Sequence, residues 1–175
     1  MQLSRTYMDM GWLDEAETVR RRYMTLTSAG GRYHLVVLKL LKGDPEAALK
    51  ETDSKGINEW NRAVARAMAL HDLGRQAEFG DMIASLTTEW GDEHPYAVAE
   101  MYAWIGDNDS AFDWLDEAYR SDNRYGRDGY WFAHNIFNPL YRNLHGDPRW
   151  DAMRERVGMS AERLAAIEFE VDLPD

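Results

Sequence analysis

Five histidines are the first residues to examine for chemistry, because imidazole ligates metals and moves protons near neutral pH. A zinc-protease helix would place two of them four residues apart around a glutamate, and no such pattern occurs. The histidines are too scattered along the sequence to predict a metal site: His34, His71, His94, His134 and His145.

Other chemical signals are equally isolated. The adjacent pair His71 and Asp72 resembles part of a metal-dependent phosphohydrolase site, but the remaining ligands would have to come from distant positions. Asp113 and Glu117 have the spacing of an acid and base on one helix face, where such pairs are usually solvated. No glycine belongs to a phosphate-binding loop. The sequence therefore predicts no enzyme, no catalytic residue, no metal and no cofactor.

The net charge restricts the partners. At −11 and an isoelectric point near 4.9, the chain would be repelled by phosphate backbones and anionic lipid headgroups. We therefore expect no nucleic acid and no membrane as partner, and basic protein segments are favoured. There is no cysteine, and no apolar run long enough for a membrane span.

Four glycines indicate where the helices that would position these side chains end. Gly11, Gly43, Gly74 and Gly106 each end a helical pattern, and they recur at intervals of 32, 31 and 32 residues. Glycine suits such a place because a chain often leaves a helix through a left-handed residue. The periodicity predicts four helix hairpins.

A small residue five positions after the glycine lets the second helix of a hairpin lie close to the first. Ala16, Ala48 and Ala111 meet this expectation, whereas the third hairpin has Phe79 there. Either Ala77 takes the role after a local slip, or the third helix pair opens.

The hairpins resemble the tetratricopeptide repeat, a helix–turn–helix unit of about 34 residues. The match is best at Tyr102, Gly106, Ala111 and Ala118. The resemblance implies an all-α fold, a right-handed superhelix of antiparallel helix pairs with a C-terminal helical cap. A generic helical solenoid of the Sel1 or HEAT type is the alternative. The expected organisation is four hairpins within 1–128 (about 1–28, 29–59, 60–93 and 94–128) and a capping segment, 129–175, packed on them as one domain.

The two ends differ. By phase the first helix should begin about ten residues before Tyr7, yet Met1 lies only six before it. Two interpretations stay open: a fragment of a longer repeat protein, or a native start with a short first helix. Because stacked repeats need a polar cap, an uncovered first helix could support self-association.

The C-terminal segment resembles the closing segment of bacterial tetratricopeptide proteins. The matching stretches are Asn138–Tyr141, Asp147–Trp150 and Val157–Met159. Asp147 is a good helix N-cap and Pro148 a good first helical residue; Ser160 is a further expected cap. The resemblance implies a cytoplasmic bacterial protein in which such an array usually follows a winged-helix domain, a nucleotide cyclase or a protein kinase.

In the family that the chain resembles, the first helix of each repeat lines a concave groove. Carried over by phase, the implied binding positions mix aromatic, apolar and hydrogen-bonding side chains suited to a peptide. They are Arg5, Met8 and Asp9; Tyr33, His34 and Val37; Asn61, Met68, His71 and Asp72; Tyr96, Glu100 and Trp104. Whether the groove is open or filled by the C-terminal segment stays undecided.

Two functions follow from this reading. The first is a non-enzymatic protein-interaction module, a scaffold or sensor that binds a peptide or protein surface in the groove. The second is an intramolecular regulatory domain that docks onto an upstream domain of a larger protein and has no separate partner.

Overall fold

The computed structural model describes residues 2–26, 31–124 and 129–168. Over these residues the chain forms eleven α-helices and one 3-10 helix, without a strand, which confirms the all-α class. Eight helices form the first part: α1 Gln2–Asp9, α2 Leu13–Leu26, α3 Arg32–Leu41, α4 Pro45–Thr52, α5 Glu59–Asp72, α6 Gln76–Trp90, α7 Pro95–Ile105 and α8 Asn108–Arg124. The closing part contains α9 Tyr130–Asn135, the 3-10 helix Pro139–Leu144, α10 Pro148–Arg156 and α11 Ala161–Ala165.

The four periodic glycines lie between the two helices of successive pairs, and all have φ between 69° and 83°. After α7 the turn is a Schellman motif: the Gly106 N–H donates to the Ala103 carbonyl at 3.3 Å and the Asp107 N–H to that of Tyr102 at 3.1 Å. The expectation that these glycines separate helices is confirmed.

The interhelical positions explain how the pairs close. Ala16, Ala48 and Ala111 are fully buried, as a close helix pair requires. In the third pair, Phe79 is partly buried against the core while Ala77 is exposed, so the slip to Ala77 does not occur. Leu86 is the one fully buried residue of α6.

The helix pairs stack in chain order. Each pair contacts the next through α2 and α3, α4 and α5, and α6 and α7, while α3, α5 and α7 also contact one another in series. One apolar cluster is formed mainly by buried side chains of these three helices. A second joins α7 and α8 to the closing part through Phe132, Tyr141 and Trp150.

The closing part has well-defined helix starts. The Asp147 side chain accepts a hydrogen bond from the Arg149 N–H at 2.9 Å, and Ser160 Oγ accepts one from the Arg163 N–H at 3.3 Å. Both expected caps are confirmed, and Pro148 opens α10. The 3-10 helix packs on α7. No helix in the described ranges is long and apolar enough to cross a bilayer.

Candidate functional site

A cavity of about 540 Å³ lies between the first helices of the pairs and the closing part. Helices α1, α3, α5 and α7 contribute one side, and α8 with residues 131–140 contributes the other. Its lining is Arg5, Met8, Asp9, Tyr33, His34, Val37, Trp60, Asn61, Glu93, His94, Pro95, Tyr96, Ala97, Glu100, Ala118, Ser121, Asp122, Trp131, Asn135, Asn138 and Leu140.

Most of the groove positions implied by the resemblance line this cavity. They come from all four first helices, because residues at matching phase point to the same side of the stack. The lining members are Arg5, Met8, Asp9, Tyr33, His34, Val37, Asn61, Tyr96 and Glu100.

Four of the implied positions lie elsewhere. Met68 is fully buried in the core. The Trp104 indole N–H donates to both carboxylate oxygens of Asp72 at 3.1 Å, and His71 Nδ1 lies 3.2 Å from the same carboxylate. The Arg142 guanidinium covers the Trp104 ring at 4.8 Å. These side chains join α5, α7 and the 3-10 helix instead of facing the cavity.

Glu100 is the central acidic group of the cavity wall. The Tyr33 hydroxyl donates to its Oε2 at 3.3 Å, and the Asn138 amide donates to its Oε1 at 2.7 Å. Burial raises the pKa of Glu100 to about 7, against the opposing effects of the Arg5 charge and these two hydrogen bonds. The Glu100 carboxyl therefore links α7 to α3 and to the closing part. Its buried position disfavours the ionised form.

Arg5 closes one side of the cavity. Its Nη2 donates to Asn135 Oδ1 and, at 3.4 Å, to the His134 carbonyl oxygen, joining α1 to α9 across 130 residues of sequence. Asp9 lies 4.0 Å from the guanidinium on the same helix. Burial raises the pKa of Asp9 to about 6, although the Arg5 charge acts in the opposite direction.

Aromatic rings form much of the remaining wall. Trp60 stacks on His94 with ring centroids 4.3 Å apart. The Tyr96 hydroxyl and the Trp131 backbone N–H each donate to Asp122 Oδ2 at 3.0 Å, which fixes the start of α9 beside the cavity. The Trp131 side chain is 43% exposed, so it lies at the rim.

His34 is held neutral in the wall. Burial lowers its pKa to about 4, and the positive charges of Arg20 and Arg5 act in the same direction. His34 Nδ1 and Asn61 Oδ1 are buried atoms for which the described part of the chain provides no hydrogen-bond partner. The wall thus retains unused hydrogen-bonding capacity.

Sequence reasoning missed several lining residues. Trp60 and His94 lie at the starts of α5 and α7, ahead of the positions assigned by phase. The closing part contributes Trp131, Asn135 and Asn138. Its sequence is rich in aromatic residues, and this was the signal that pointed to it. That this segment turns back onto α1 and α7 depends on long-range contacts, which no local pattern encodes.

Within residues 2–26, 31–124 and 129–168, no three His, Asp or Glu side chains are arranged to hold a metal ion.

No family model, curated protein or solved structure matched the chain when it was compared with known proteins.

Proposed function

We propose that this chain is a non-enzymatic protein-interaction domain of the tetratricopeptide type, and that its concave side binds a segment of another protein. One observation carries the proposal: side chains from all four first helices and from the closing part converge on a single cavity. A mixed aromatic, apolar and hydrogen-bonding wall is suited to anchoring side chains of a partner.

The form of the cavity favours anchoring over an extended groove. The hydrogen bonds from Arg5 to Asn135 and from Asn138 to Glu100 join the closing part to α1 and α7 across the cavity. A peptide lying along the whole stack would have to break both. The partner instead inserts a few side chains past the rim at Trp131.

A matched pair of tryptophan variants tests the proposal. Trp131→Ala removes a 43% exposed ring at the cavity rim, whereas Trp12→Ala removes a 50% exposed ring from the turn between α1 and α2. Capture of partners from a lysate, quantified by mass spectrometry, should fall about ten-fold with Trp131→Ala, as for an aromatic anchor residue. Trp12→Ala should leave capture unchanged.

The two variants also separate the cavity from the first hairpin. Leu3, Met10 and Trp12 are half exposed there, and they are the residues through which self-association would act. Loss of capture with Trp12→Ala alone would move binding to that hairpin. Unchanged capture with Trp131→Ala, at unchanged circular dichroism, would remove the cavity from the proposal.

A further inference from the structure

We propose that the cavity receives basic side chains, lysine or arginine, from a segment of the partner protein. This inference rests on the proposed function and specifies the chemistry of the occupant. The charges and the aromatic rings of the wall support this occupant.

Among the described residues of the lining, carboxyl groups outnumber arginines and lysines. Asp9, Glu93 and Glu100 line the cavity together with one arginine, Arg5. That arginine is already engaged by Asp9 and by the Asn135 side chain. A basic side chain of a partner would therefore enter a lining in which the described carboxyl groups are more numerous than the described arginines. The net charge of −11 would also attract a basic segment from a distance.

The aromatic rings add a second attraction for cations. A guanidinium or ammonium group over an aromatic face is stabilised by the ring quadrupole. The molecule uses this contact elsewhere: Arg149 covers Phe112 at 4.2 Å and Arg156 covers Tyr119 at 4.1 Å. Trp60, His94 and Trp131 all line the cavity, and Trp131 is 43% exposed at its rim, so aromatic rings lie where an incoming cation would arrive.

Glu100 makes binding sensitive to pH. The charged and titratable groups around it are Arg5 on α1, Tyr33 on α3 and Tyr141 of the closing part. Tyr33 and Tyr141 stay neutral because burial raises their pKa well above the ordinary value. A bound cation favours the ionised carboxylate, so binding releases a proton and strengthens as pH rises through about 7.

Titration calorimetry on the full chain tests the inference. The probes are acetylated and amidated peptides in which glycine alternates with arginine, lysine, glutamine or glutamate. The arginine and lysine peptides should bind at least about ten-fold more tightly than the glutamine peptide, and the glutamate peptide should not bind. The affinity of the arginine peptide should rise about three-fold or more from pH 6 to pH 8, with proton release seen in buffers of different ionisation enthalpy.

Two variants assign the effect to the cavity. Glu100→Gln keeps the size and an acceptor oxygen while removing the charge, and should weaken the arginine peptide about ten-fold and flatten its pH dependence above pH 6.5. Asp81→Asn removes one charge from an exposed site on α6 and should change the affinity less than two-fold or so. If Glu100→Gln does not fold, Asp9→Asn takes its place.

Three results would overturn the inference. Equal affinity for the glutamine peptide would show that charge is not recognised, and absence of binding by both basic peptides would remove the cationic occupant. Binding of butylguanidinium alone as tight as the arginine peptide would assign the cavity to a free small cation. If Trp131→Ala abolishes partner capture while basic peptides show no preference, the interaction function stands and only the cationic occupant fails.

Discussion

At the scale of single residues, the cavity contains two titratable side chains, Glu100 and His34, whose charged forms are disfavoured by burial. Glu100 and His34 lie in the same wall, and burial shifts their pKa values in opposite directions. Burial raises the pKa of the acid to about 7 and lowers that of the base to about 4. Both groups are therefore biased toward their neutral forms, as expected where water is largely excluded.

The first prediction concerns stability against pH. A carboxyl whose pKa rises from 4.5 to about 7 on folding binds more protons in the folded state, so its contribution to stability is present below pH 4.5 and is lost as pH rises through 7. The Glu100→Gln variant should gain about 3 kcal/mol in unfolding free energy, relative to the wild type, between pH 4.5 and pH 8. Urea denaturation at a series of pH values measures this difference.

Comparing the unfolding free energies of the wild type and of Glu100→Gln at each pH separates the contribution of Glu100 from that of His34. The histidine, with its pKa lowered from 6.5 to about 4, loses its stabilising contribution as pH falls through that window, and it does so in both proteins. Asp81→Asn serves as the control for removal of one surface charge. A difference that stays constant with pH would show that Glu100 ionises normally in the folded protein.

At the scale of elements, the helix pairs depend on how each first helix ends. Gly106 adopts a left-handed conformation with φ +83°, and a Cβ added there would meet no atom within 4 Å. Gly80 likewise has open space around its Cβ position, but it lies inside α6 with a helical backbone. These two glycines differ in backbone conformation and not in packing.

Alanine at these two positions should therefore change the unfolding free energy in opposite directions. Gly106→Ala should lower the unfolding free energy by about 1 kcal/mol, because alanine is strained at positive φ. Gly80→Ala should raise it by about 0.5–1 kcal/mol, because alanine restricts the unfolded chain and favours the helix. Chemical denaturation of both variants measures the two signs. Equal effects would mean that Gly106 does not require its left-handed turn.

At the scale of the whole molecule, the first and last parts of the described chain meet. Arg5 on α1 reaches Asn135 and the His134 carbonyl at the end of α9. Asn143 adds contacts from the closing part to the end of α7, donating to the carbonyls of Ala103 and Trp104 at 2.8 and 3.0 Å. These contacts join the closing part to α1 and α7, and the cavity lies between them.

The third prediction tests this closure by hydrogen–deuterium exchange. Arg5→Ala should speed exchange of the α9 amides about five-fold, the factor that corresponds to a lost interaction of about 1 kcal/mol. Exchange in α6 should not change. Arg21→Ala removes another arginine of the first hairpin, one that pairs with Glu17 on the helix surface, and it should leave α9 unaffected. Unchanged α9 exchange in Arg5→Ala would show that closure does not depend on this arginine.

Much of the fold could be read from local signals. Gly106 ends α7 and Asp147 caps α10, as the sequence pattern indicated, because caps and turn residues act within a few positions of themselves. Phe79 marked the seam where the pairing departs from the pattern, but its partly buried position beside His71 required the neighbouring helix to be seen.

The sequence by itself determined the all-α class, the glycines that separate the helices of each pair and the caps at Asp147 and Ser160, since capping and turn formation are short-range properties of the chain. Only the tertiary structure decided which inward residues share a cavity. Trp104 faces inward by phase yet bonds to Asp72, while Asn138 joins Glu100 from 38 residues away. Such contacts depend on how the closing part packs, and that packing is set by the summed burial of distant apolar surfaces.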